Sequence, residues 1–247
     1  MFKKYWKFFV ICWSVVLVGI IGVFVCFWLI AAGKLGFMPT VEELENPNNR
    51  FASEVYFADG PIMNRYFEKE NRKYIEYREI PQSVIDALIA TEDVRFYDHS
   101  GVDVRGLFRV AKGLLTANTS AGGGSTISQQ LAKMLFPRES DLNVFELAIR
   151  KFREWVIAVR LEKSYTKEEI LTMYLNKYDF LNLAVGISSA ADIYFQVPLD
   201  SLKIEQAAML IGMAKNSSYY NPVRRPELTL NRRNVVLSQM YKYGKIT

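Results

Sequence analysis

The chain has 247 residues, which is enough for one or two domains with a sizeable core. Its 31 Lys and Arg against 26 Asp and Glu give a net charge of +5. This mild excess fits an anionic lipid surface or a phosphate-bearing substrate, and no nucleic-acid partner is expected. The two cysteines, Cys12 and Cys26, are about 21 Å apart along a helix, which excludes a disulfide between them. Because His99 is the single histidine, most zinc sites are excluded and no metal held by protein side chains is expected.

The first apolar segment predicts a membrane-spanning helix. From Phe8 to Gly33 there is no charged side chain, and this run exceeds the ~20 residues that cross a bilayer. Lysines precede the run and acidic residues follow it, so we expect a cytoplasmic N-terminus and an extracytoplasmic remainder. A cleaved signal peptide is the alternative, with Ala31-Ala32-Gly33 as its cleavage site, but its apolar part would be about 7–15 residues. Residues 1–36 are therefore predicted to form a cytoplasmic tip and a transmembrane anchor.

Residues 37–80 predict a juxtamembrane linker followed by a small hairpin. The polar stretch 38–50 is typical of a linker. Ser53 to Phe57 and Ile62 to Phe67 flank Asp59-Gly60, a turn signal between two strands. From Pro81 onward the apolar spacing is helical, so the fold class is mainly α. Beyond the helix that begins after Pro81, helices are predicted at 104–115, from 126, and at 145–162, 167–176, 201–214 and 226–243, with Gly244 as the last stop signal.

Glu92 is the first candidate catalytic residue. It follows Leu88 and Ile89 by four and three residues, so a continuing helix places its carboxylate on the apolar face. A carboxylate that loses water binds a proton more readily, as a general base near neutral pH must. The alternative is a cap or an ion-pair partner at a helix end.

The predicted helix 104–115 has one apolar face and one basic face. Arg105, Arg109 and Lys112 recur on the basic side. Such a helix either lies in a membrane interface with its cations on phosphates or packs on the core as an ordinary surface helix. The apolar face consists of Val104, Leu107, Phe108, Ala111, Leu114 and Leu115.

A glycine-rich loop, 119–124, precedes a predicted helix start. Thr126 and Gln129 match the capping-box pattern of a hydroxyl followed three residues later by Gln. The free amides and the dipole of such a helix make an anion site, with Gln129, Gln130 and Lys133 in the first two turns. The chain lacks a Walker pattern, so a nucleotide-binding P-loop is not supported.

The next predicted helix carries Arg150, Lys151 and Glu154 within one turn. Glu154 can pair with either cation on its own helix, and such pairs contribute only about 0.3–0.5 kcal/mol. The helix by itself therefore does not distinguish a structural ion pair from a binding site.

Five blocks in order resemble the peptidoglycan glycosyltransferases, glycosyltransferase family 51. The resemblance runs from about Glu54 to the end of the chain. The blocks are Glu92-Asp93-x-x-Phe96-x-x-His99-x-Gly101, Gly123 to Gln130 with Lys133, Arg150-Lys151-x-x-Glu154, Ile170-Leu171-x-x-Tyr174-Leu175-Asn176, and Ala207 to Leu210 leading to Tyr220-Asn221-Pro222.

The resemblance implies a membrane-anchored helical domain, residues 81–247, with a lysozyme-like lobe and a smaller membrane-facing lobe. It implies a reaction in which lipid II, an undecaprenyl-pyrophosphate-linked disaccharide pentapeptide, is polymerised into glycan strands with inversion and release of undecaprenyl pyrophosphate. The implied location is the bacterial inner membrane. The implied partners are lipid II, the growing glycan chain, membrane lipids and other cell wall synthesis proteins.

By the same resemblance Glu92 is the base and Glu154 assists at the leaving group or holds the cations in place. Lys133, helped by Arg150 and Lys151, would stabilise the pyrophosphate, alone or with a divalent cation (Mg²⁺ or Mn²⁺) bound with the substrate. His99 becomes a positioning residue of its block. The full set of implied substrate-binding residues is Asp93, Phe96, His99, Ser125, Thr126, Gln129, Gln130, Lys133, Arg150, Lys151 and Asn176.

The chain departs from the family pattern at several points. Ser128 replaces the usual Thr, and the usual glycine-rich stretch after Asn176 reads Asp179 to Val185 before Gly186. The hairpin resembles class A penicillin-binding proteins more than the shortest monofunctional enzymes. Ser164-x-x-Lys167 matches a transpeptidase pattern, which we interpret as chance because the chain has no Lys-Thr-Gly or Ser-Asp-Asn partner. Two other functions stay open, a lysozyme-like glycan-cleaving enzyme and an inactive scaffold that binds lipid II.

Overall fold

A computed structural model describes residues 2–35, 53–56, 62–66, 71–116, 123–135 and 143–247. Helix α1 spans Phe2–Ala31, and its stretch Tyr5–Ala31 has a mean hydropathy of 2.8. This helix is long and apolar enough to cross a membrane, as the sequence predicts. Cys12 and Cys26 are both free thiols within it. The predicted linker 38–50 lies outside the described residues.

The chain divides into two units, and α1 belongs to the unit formed by residues 1–46 and 138–157. Within this unit, an aromatic cluster joins the end of α1 to the first half of helix α5, Val144–Ser164. The ring of Phe27 lies 5.0 Å from Phe152 and 6.3 Å from Trp155, measured between centroids. Arg153 also donates a 3.0 Å hydrogen bond to the carbonyl of Leu35. These contacts fix the end of the apolar helix on α5.

The other unit comprises residues 47–137 and 158–247, which include the last turns of α5. The predicted hairpin is confirmed: β1 (Ser53–Tyr56) and β2 (Ile62–Tyr66) pair antiparallel, while its turn lies outside the described residues. Strand β3 (Asn71–Arg72) pairs in parallel with β4 (Ala184–Val185). Short 3-10 turns occupy Tyr77–Glu79, Phe96–Asp98 and Leu199–Ser201. The helices are α2 (Gln82–Glu92), α3 (Val104–Leu115), α4 (Ile127–Leu135), α6 (Lys167–Lys177), α7 (Ile187–Phe195), α8 (Ile204–Met213) and α9 (Pro226–Lys242).

The core of this unit forms where α2 packs against α8 and α9, and where α4 packs against α6. Val84 and Leu88 of α2 are fully buried, as the helical spacing predicts. Leu131 of α4 and Leu171 of α6 are equally inaccessible. Helix α2 ends at Glu92, so the chain leaves the core at the candidate base.

The sequence leaves two alternatives for helix α3, a membrane interface or packing on the core, and part of its apolar face is exposed. Val104 is 57% exposed and Phe108 is 73% exposed. The basic side chains Arg105, Arg109 and Lys112 are exposed as well. The interfacial interpretation of this helix is therefore the one that its exposure fits.

The structure also differs from the sequence prediction after Asn176. Helix α7 was not predicted, and the predicted helix 201–214 begins only at Ile204, after a 3-10 turn. Leu181, Asn182 and Leu183 all have positive φ, at 64°, 51° and 69°. Tertiary contacts fix this unfavourable backbone, because Tyr194 accepts from the Asn182 amide and donates to the Phe180 carbonyl.

The Ser164-x-x-Lys167 match lies at the start of α6, where Thr166 is the N-cap. Its hydroxyl accepts from the amide of Glu169, while the Glu169 carboxylate accepts from the amide of Thr166. This reciprocal capping box starts α6, and Lys167 is the first residue of that helix.

Candidate active site

The candidate site is a cleft of about 540 Å³ within the second unit. The end of α2, the start of α3, the segment Gly123–Thr126 and one side of α9 form its walls. Among the described residues, five cations face three carboxylates in this lining. The charged lining residues are Glu92, Asp93, Arg95, Asp103, Arg109, Lys215, Arg232 and Lys242.

Glu92 lies in the cleft with its carboxylate held on both oxygens. Arg232 contacts Oε1 at 3.1 Å, and Nε2 of Gln130 donates to Oε2 at 3.0 Å. The Glu92 side chain is only 12% exposed. The carboxylate is therefore largely buried and is also an ion-pair partner, as the alternative interpretation of the sequence expects, while its role as a base stays a prediction.

Arg232 is in turn held from two sides. Its Nε donates to the carbonyl of Gly212 at 3.4 Å, and its guanidinium lies 5.8 Å from the centroid of the Tyr220 ring. The guanidinium and the carboxylate are both largely buried. The ion pair is thus shielded from solvent, which strengthens it relative to a surface pair.

Asp93 occupies the anion site that the sequence predicts at the start of α4. Its Oδ2 accepts from the amide of Ile127 at 3.0 Å, so a side chain of the protein binds this helix terminus. This amide is therefore already paired within the chain, while the binding roles of Gln129, Gln130 and Lys133 stay predictions. Asp93 also contacts Nε2 of His99 at 3.0 Å, and both side chains are buried.

His99 and Phe96, both predicted binding residues, lie outside the cleft lining. Nδ1 of His99 accepts from the amide of Gly101 at 3.3 Å, so Nε2 carries the proton that is donated to Asp93. Phe96 is fully buried, and the ammonium of Lys167 lies 4.3 Å from the centroid of its ring. Lys167 also donates to the carbonyl of His99 at 2.7 Å. These contacts fix the loop that follows Glu92.

Gly101 brings this loop close to the backbone of α5. Its φ is +93°, and an added Cβ would lie 2.7 Å from the carbonyl carbon of Ala158. Its own carbonyl accepts from the hydroxyl of Thr126 at 2.7 Å and from Nε2 of Gln129 at 3.3 Å. The predicted capping box is therefore only half formed: Thr126 accepts from the Gln129 amide, but the Gln129 side chain bonds Gly101 instead.

Arg95 and Asp103 form an ion pair at the entrance to α3. Asp103 also accepts from the amide of Gly106 at 2.9 Å, which caps the helix. Burial would raise the pKa of the Asp103 carboxyl, but the hydrogen bonds from Arg95 and from Gly106 outweigh that effect and hold the pKa below its usual value. The carboxylate therefore stays ionised in the cleft wall.

Some predicted binding residues lie elsewhere. Asn176 has its amide group engaged by the backbone of Ile75, accepting at 3.0 Å and donating at 2.9 Å, and it is outside the cleft lining. Lys133 is exposed and also outside the lining. Ser125 lines the cleft together with Thr126 and Gln130, and their roles in binding substrate stay predictions.

Arg150, Lys151 and Glu154 belong to the first unit. Lys151 contacts the carboxylate of Glu154 at 2.8 Å, so the structural ion pair anticipated from the sequence does form. The Glu154 side chain is 14% exposed and that of Lys151 is 40% exposed. Their roles toward a substrate stay predictions.

Four cations of the cleft were missed by sequence reasoning, and Arg95 is the first of them along the chain. Arg232 and Lys242 come from α9, and Lys215 follows α8. Arg232 and Glu92 are separated by 140 positions. No local pattern marks such a pair, so only the packing of α9 on α2 could reveal it.

The carboxylates of the cleft do not fit a metal held by the protein. Glu92, Asp93 and Asp103 each accept hydrogen bonds from side chains or amides of the chain. Among residues whose positions are described, no group of three or more His, Cys, Asp or Glu could hold a metal ion.

Comparison with known proteins gives consistent matches. A family model described as Transglycosylase matches residues 59–241. Penicillin-binding protein 1A of Escherichia coli is 39% identical over 210 residues, covering 85% of this chain and 24% of the relative. Penicillin-binding protein 1A of Pseudomonas aeruginosa is 38% identical over 209 residues, covering 85% and 25%. The chain thus spans about a quarter of the length of these curated relatives. A crystal structure of penicillin-binding protein 1A from Haemophilus influenzae matches with a TM-score of 0.43 and 22% identity, over 80% of this chain and 19% of that one.

Proposed function

The chain belongs to the transglycosylase family, and we propose that it is a peptidoglycan glycosyltransferase that polymerises lipid II in bacterial cell wall synthesis. The observation that carries this proposal is Glu92, a largely buried carboxylate held on both oxygens in a cleft whose charged lining residues are mostly cations. A base beside several cations is the combination that glycosyl transfer from a pyrophosphate donor requires.

Glu92 acts as the general base in the proposed reaction. It accepts the proton of the acceptor sugar hydroxyl while that oxygen bonds to the anomeric carbon of the growing chain. The bond from this carbon to the pyrophosphate oxygen breaks with inversion, and undecaprenyl pyrophosphate leaves with the bonding electrons. Each oxygen of Glu92 accepts one hydrogen bond from the protein, and a carboxylate oxygen has a second acceptor site for the substrate hydroxyl.

The cations neutralise the charge that develops on the leaving pyrophosphate. Lys215 and Lys242 supply positive charge in the cleft wall. Lys133, Arg150 and Lys151 stay in the proposal as further partners of the pyrophosphate, with Glu154 orienting Lys151 through their 2.8 Å contact. Positioning and charge neutralisation carry most of the catalysis, because pyrophosphate is already a good leaving group.

A divalent cation would enter this reaction with the substrate. Mg²⁺ is usually bound through one or two carboxylates together with substrate phosphates. The cleft carboxylates are engaged by Arg232, His99 and Arg95. The pyrophosphate would thus be its main ligand, and the lysines of the cleft supply the same neutralisation without it.

The proposed location is the bacterial inner membrane, with α1 as a single span and a cytoplasmic N-terminus. The apolar stretch Tyr5–Ala31 supports the span, and the lysines that precede it support the orientation. The substrate's lipid tail would then hold lipid II at the same membrane surface. The growing glycan chain and other cell wall synthesis proteins are the proposed partners.

The test is a polymerisation assay with the full chain in detergent. Labelled lipid II should yield long glycan strands on a gel, with one undecaprenyl pyrophosphate released per bond formed. Release of soluble fragments from finished peptidoglycan would instead support a glycan-cleaving enzyme. Saturable binding of lipid II with no product, with or without added Mg²⁺ or Mn²⁺, would support a scaffold and overturn the proposal.

A further inference from the structure

A buried tyrosine is joined to the candidate base through one glutamine. Tyr174 of α6 is 1% exposed. Its hydroxyl donates to Oε1 of Gln130 at 3.0 Å, and Nε2 of Gln130 donates to Oε2 of Glu92 at 3.0 Å. The Tyr174 hydroxyl, the Gln130 amide and the Glu92 carboxylate thus form one continuous chain of hydrogen bonds.

The direction of this chain follows from the chemistry of the phenol. Burial, and then the neighbouring Glu92 carboxylate, raise the pKa of Tyr174 well above its ordinary value. The hydroxyl therefore keeps its proton and donates it. Because a glutamine has one accepting and one donating end, acceptance by Oε1 turns Nε2 toward Glu92. Rotation of the amide by half a turn would place Oε1 against the carboxylate, where two acceptors repel.

We propose that Tyr174 is a positioning residue of the glycosyltransferase, acting on Glu92 through Gln130. The inference rests on the proposed function, since it takes Glu92 as the base. The tyrosine hydroxyl fixes the orientation of the Gln130 amide, and this amide fixes one oxygen of the base. A base must lie within hydrogen-bond reach of the proton it removes, so loss of this alignment lowers the rate of the chemical step.

The test variant is Tyr174→Phe, which removes only the hydroxyl. We expect kcat for lipid II polymerisation to fall about tenfold, the effect of one lost hydrogen bond, with KM for lipid II unchanged within twofold. The matched control is Tyr178→Phe, on the following turn of the chain. Tyr178 is a stacked neighbour at 5.8 Å between ring centroids, and its hydroxyl contacts the carbonyls of Met213 and Ala214. Tyr178→Phe loses the hydrogen bonds of its own hydroxyl, which do not lead to Glu92, and should keep the native kcat.

The route through Gln130 is tested in a second background. In Gln130→Met the link is already broken, so adding Tyr174→Phe should change kcat by less than twofold. A full tenfold loss in that background would show that Tyr174 acts by another path and would overturn the inference. Native kcat in Tyr174→Phe, or an equal loss in Tyr178→Phe, would overturn it as well.

A parallel measurement on Glu92→Gln separates this inference from the proposed function. If Glu92→Gln polymerises lipid II at the native rate, the base assignment fails and the inference fails with it. If Glu92→Gln is inactive while Tyr174→Phe is fully active, the positioning role alone is refuted.

Discussion

Replacing Gly101 with alanine tests how the loop after Glu92 is held in place. The glycine has a φ of +93°, and an added Cβ would lie 2.7 Å from the carbonyl carbon of Ala158 and 2.8 Å from the amide nitrogen of Val159. Both neighbours are backbone atoms of α5, so neither can turn aside as a flexible side chain would. Either the loop or the helix must shift.

The expected cost has two parts. A non-glycine residue with this backbone conformation costs about 1–2 kcal/mol, and overpacking adds about 1–3 kcal/mol. The free energy of unfolding should therefore fall by about 2–5 kcal/mol. The rate of lipid II polymerisation should fall too, because the Gly101 carbonyl accepts from Gln129 and from Thr126, and Thr126 lines the cleft.

Gly244→Ala separates the two parts of this cost. Gly244 also has a positive φ, +67°, but nothing lies within 4 Å of its added Cβ. We expect only the conformational cost of about 1–2 kcal/mol there. Urea denaturation of the two variants, followed by circular dichroism, measures the difference. An equal loss in both variants would refute the close packing of Gly101 on α5.

Three further variants test other contacts. Arg232→Met leaves the Glu92 carboxylate without its charged partner, so the free energy of unfolding should fall by about 3 kcal/mol. Arg232→Lys keeps a positive charge and should lose less stability. Equal losses in the two variants would contradict a stabilising ion pair. Asp103 has a folded-state pKa below its ordinary value of about 3.8, so its stabilisation is present above that pH and is lost as the pH falls through the folded-state pKa. Asp103→Asn should therefore destabilise the chain at about pH 7, by an amount that shrinks as the pH falls below about 3.8, and a pH-independent difference between the two urea curves would contradict this. Thr166→Ala removes the cap of α6, so the free energy of unfolding should fall by about 1 kcal/mol in the same assay. An unchanged free energy of unfolding would contradict a stabilising role of this cap.

Local signals predicted most of the helices. Pro226 and Gly244 bracket α9 because one suits the first helical turn and the other a positive φ. The apolar spacing of α2 predicted both its burial and the position of Glu92 at its end. Such signals depend on a few neighbouring residues, so a single sequence is enough to read them.

Structural features that depend on residues far apart in the sequence could not be predicted. Asp93 reaches the amide of Ile127 across 34 positions, and this pairing fills the anion site that the helix start alone suggested. The positive φ angles of Leu181 to Leu183 run against the local preference of those residues and exist only because the surroundings hold them. The exposure of α3 could not be predicted either. Apolar periodicity identifies the apolar face of a helix but not which residues, if any, pack against that face.

The rate of lipid II polymerisation by Glu92→Gln shows whether Glu92 is the general base of the reaction. The amide keeps the shape of the side chain and an acceptor for Arg232, but it cannot take up a proton at neutral pH. Asp86→Asn is the matched control, since Asp86 lies on the same helix, pairs with Lys245 at 2.9 Å and does not line the cleft. If Glu92 is the base, Glu92→Gln should lose at least about 100-fold in kcat while its circular dichroism spectrum and the activity of Asp86→Asn stay native. A Glu92→Gln rate within a few-fold of the native rate would contradict the assignment.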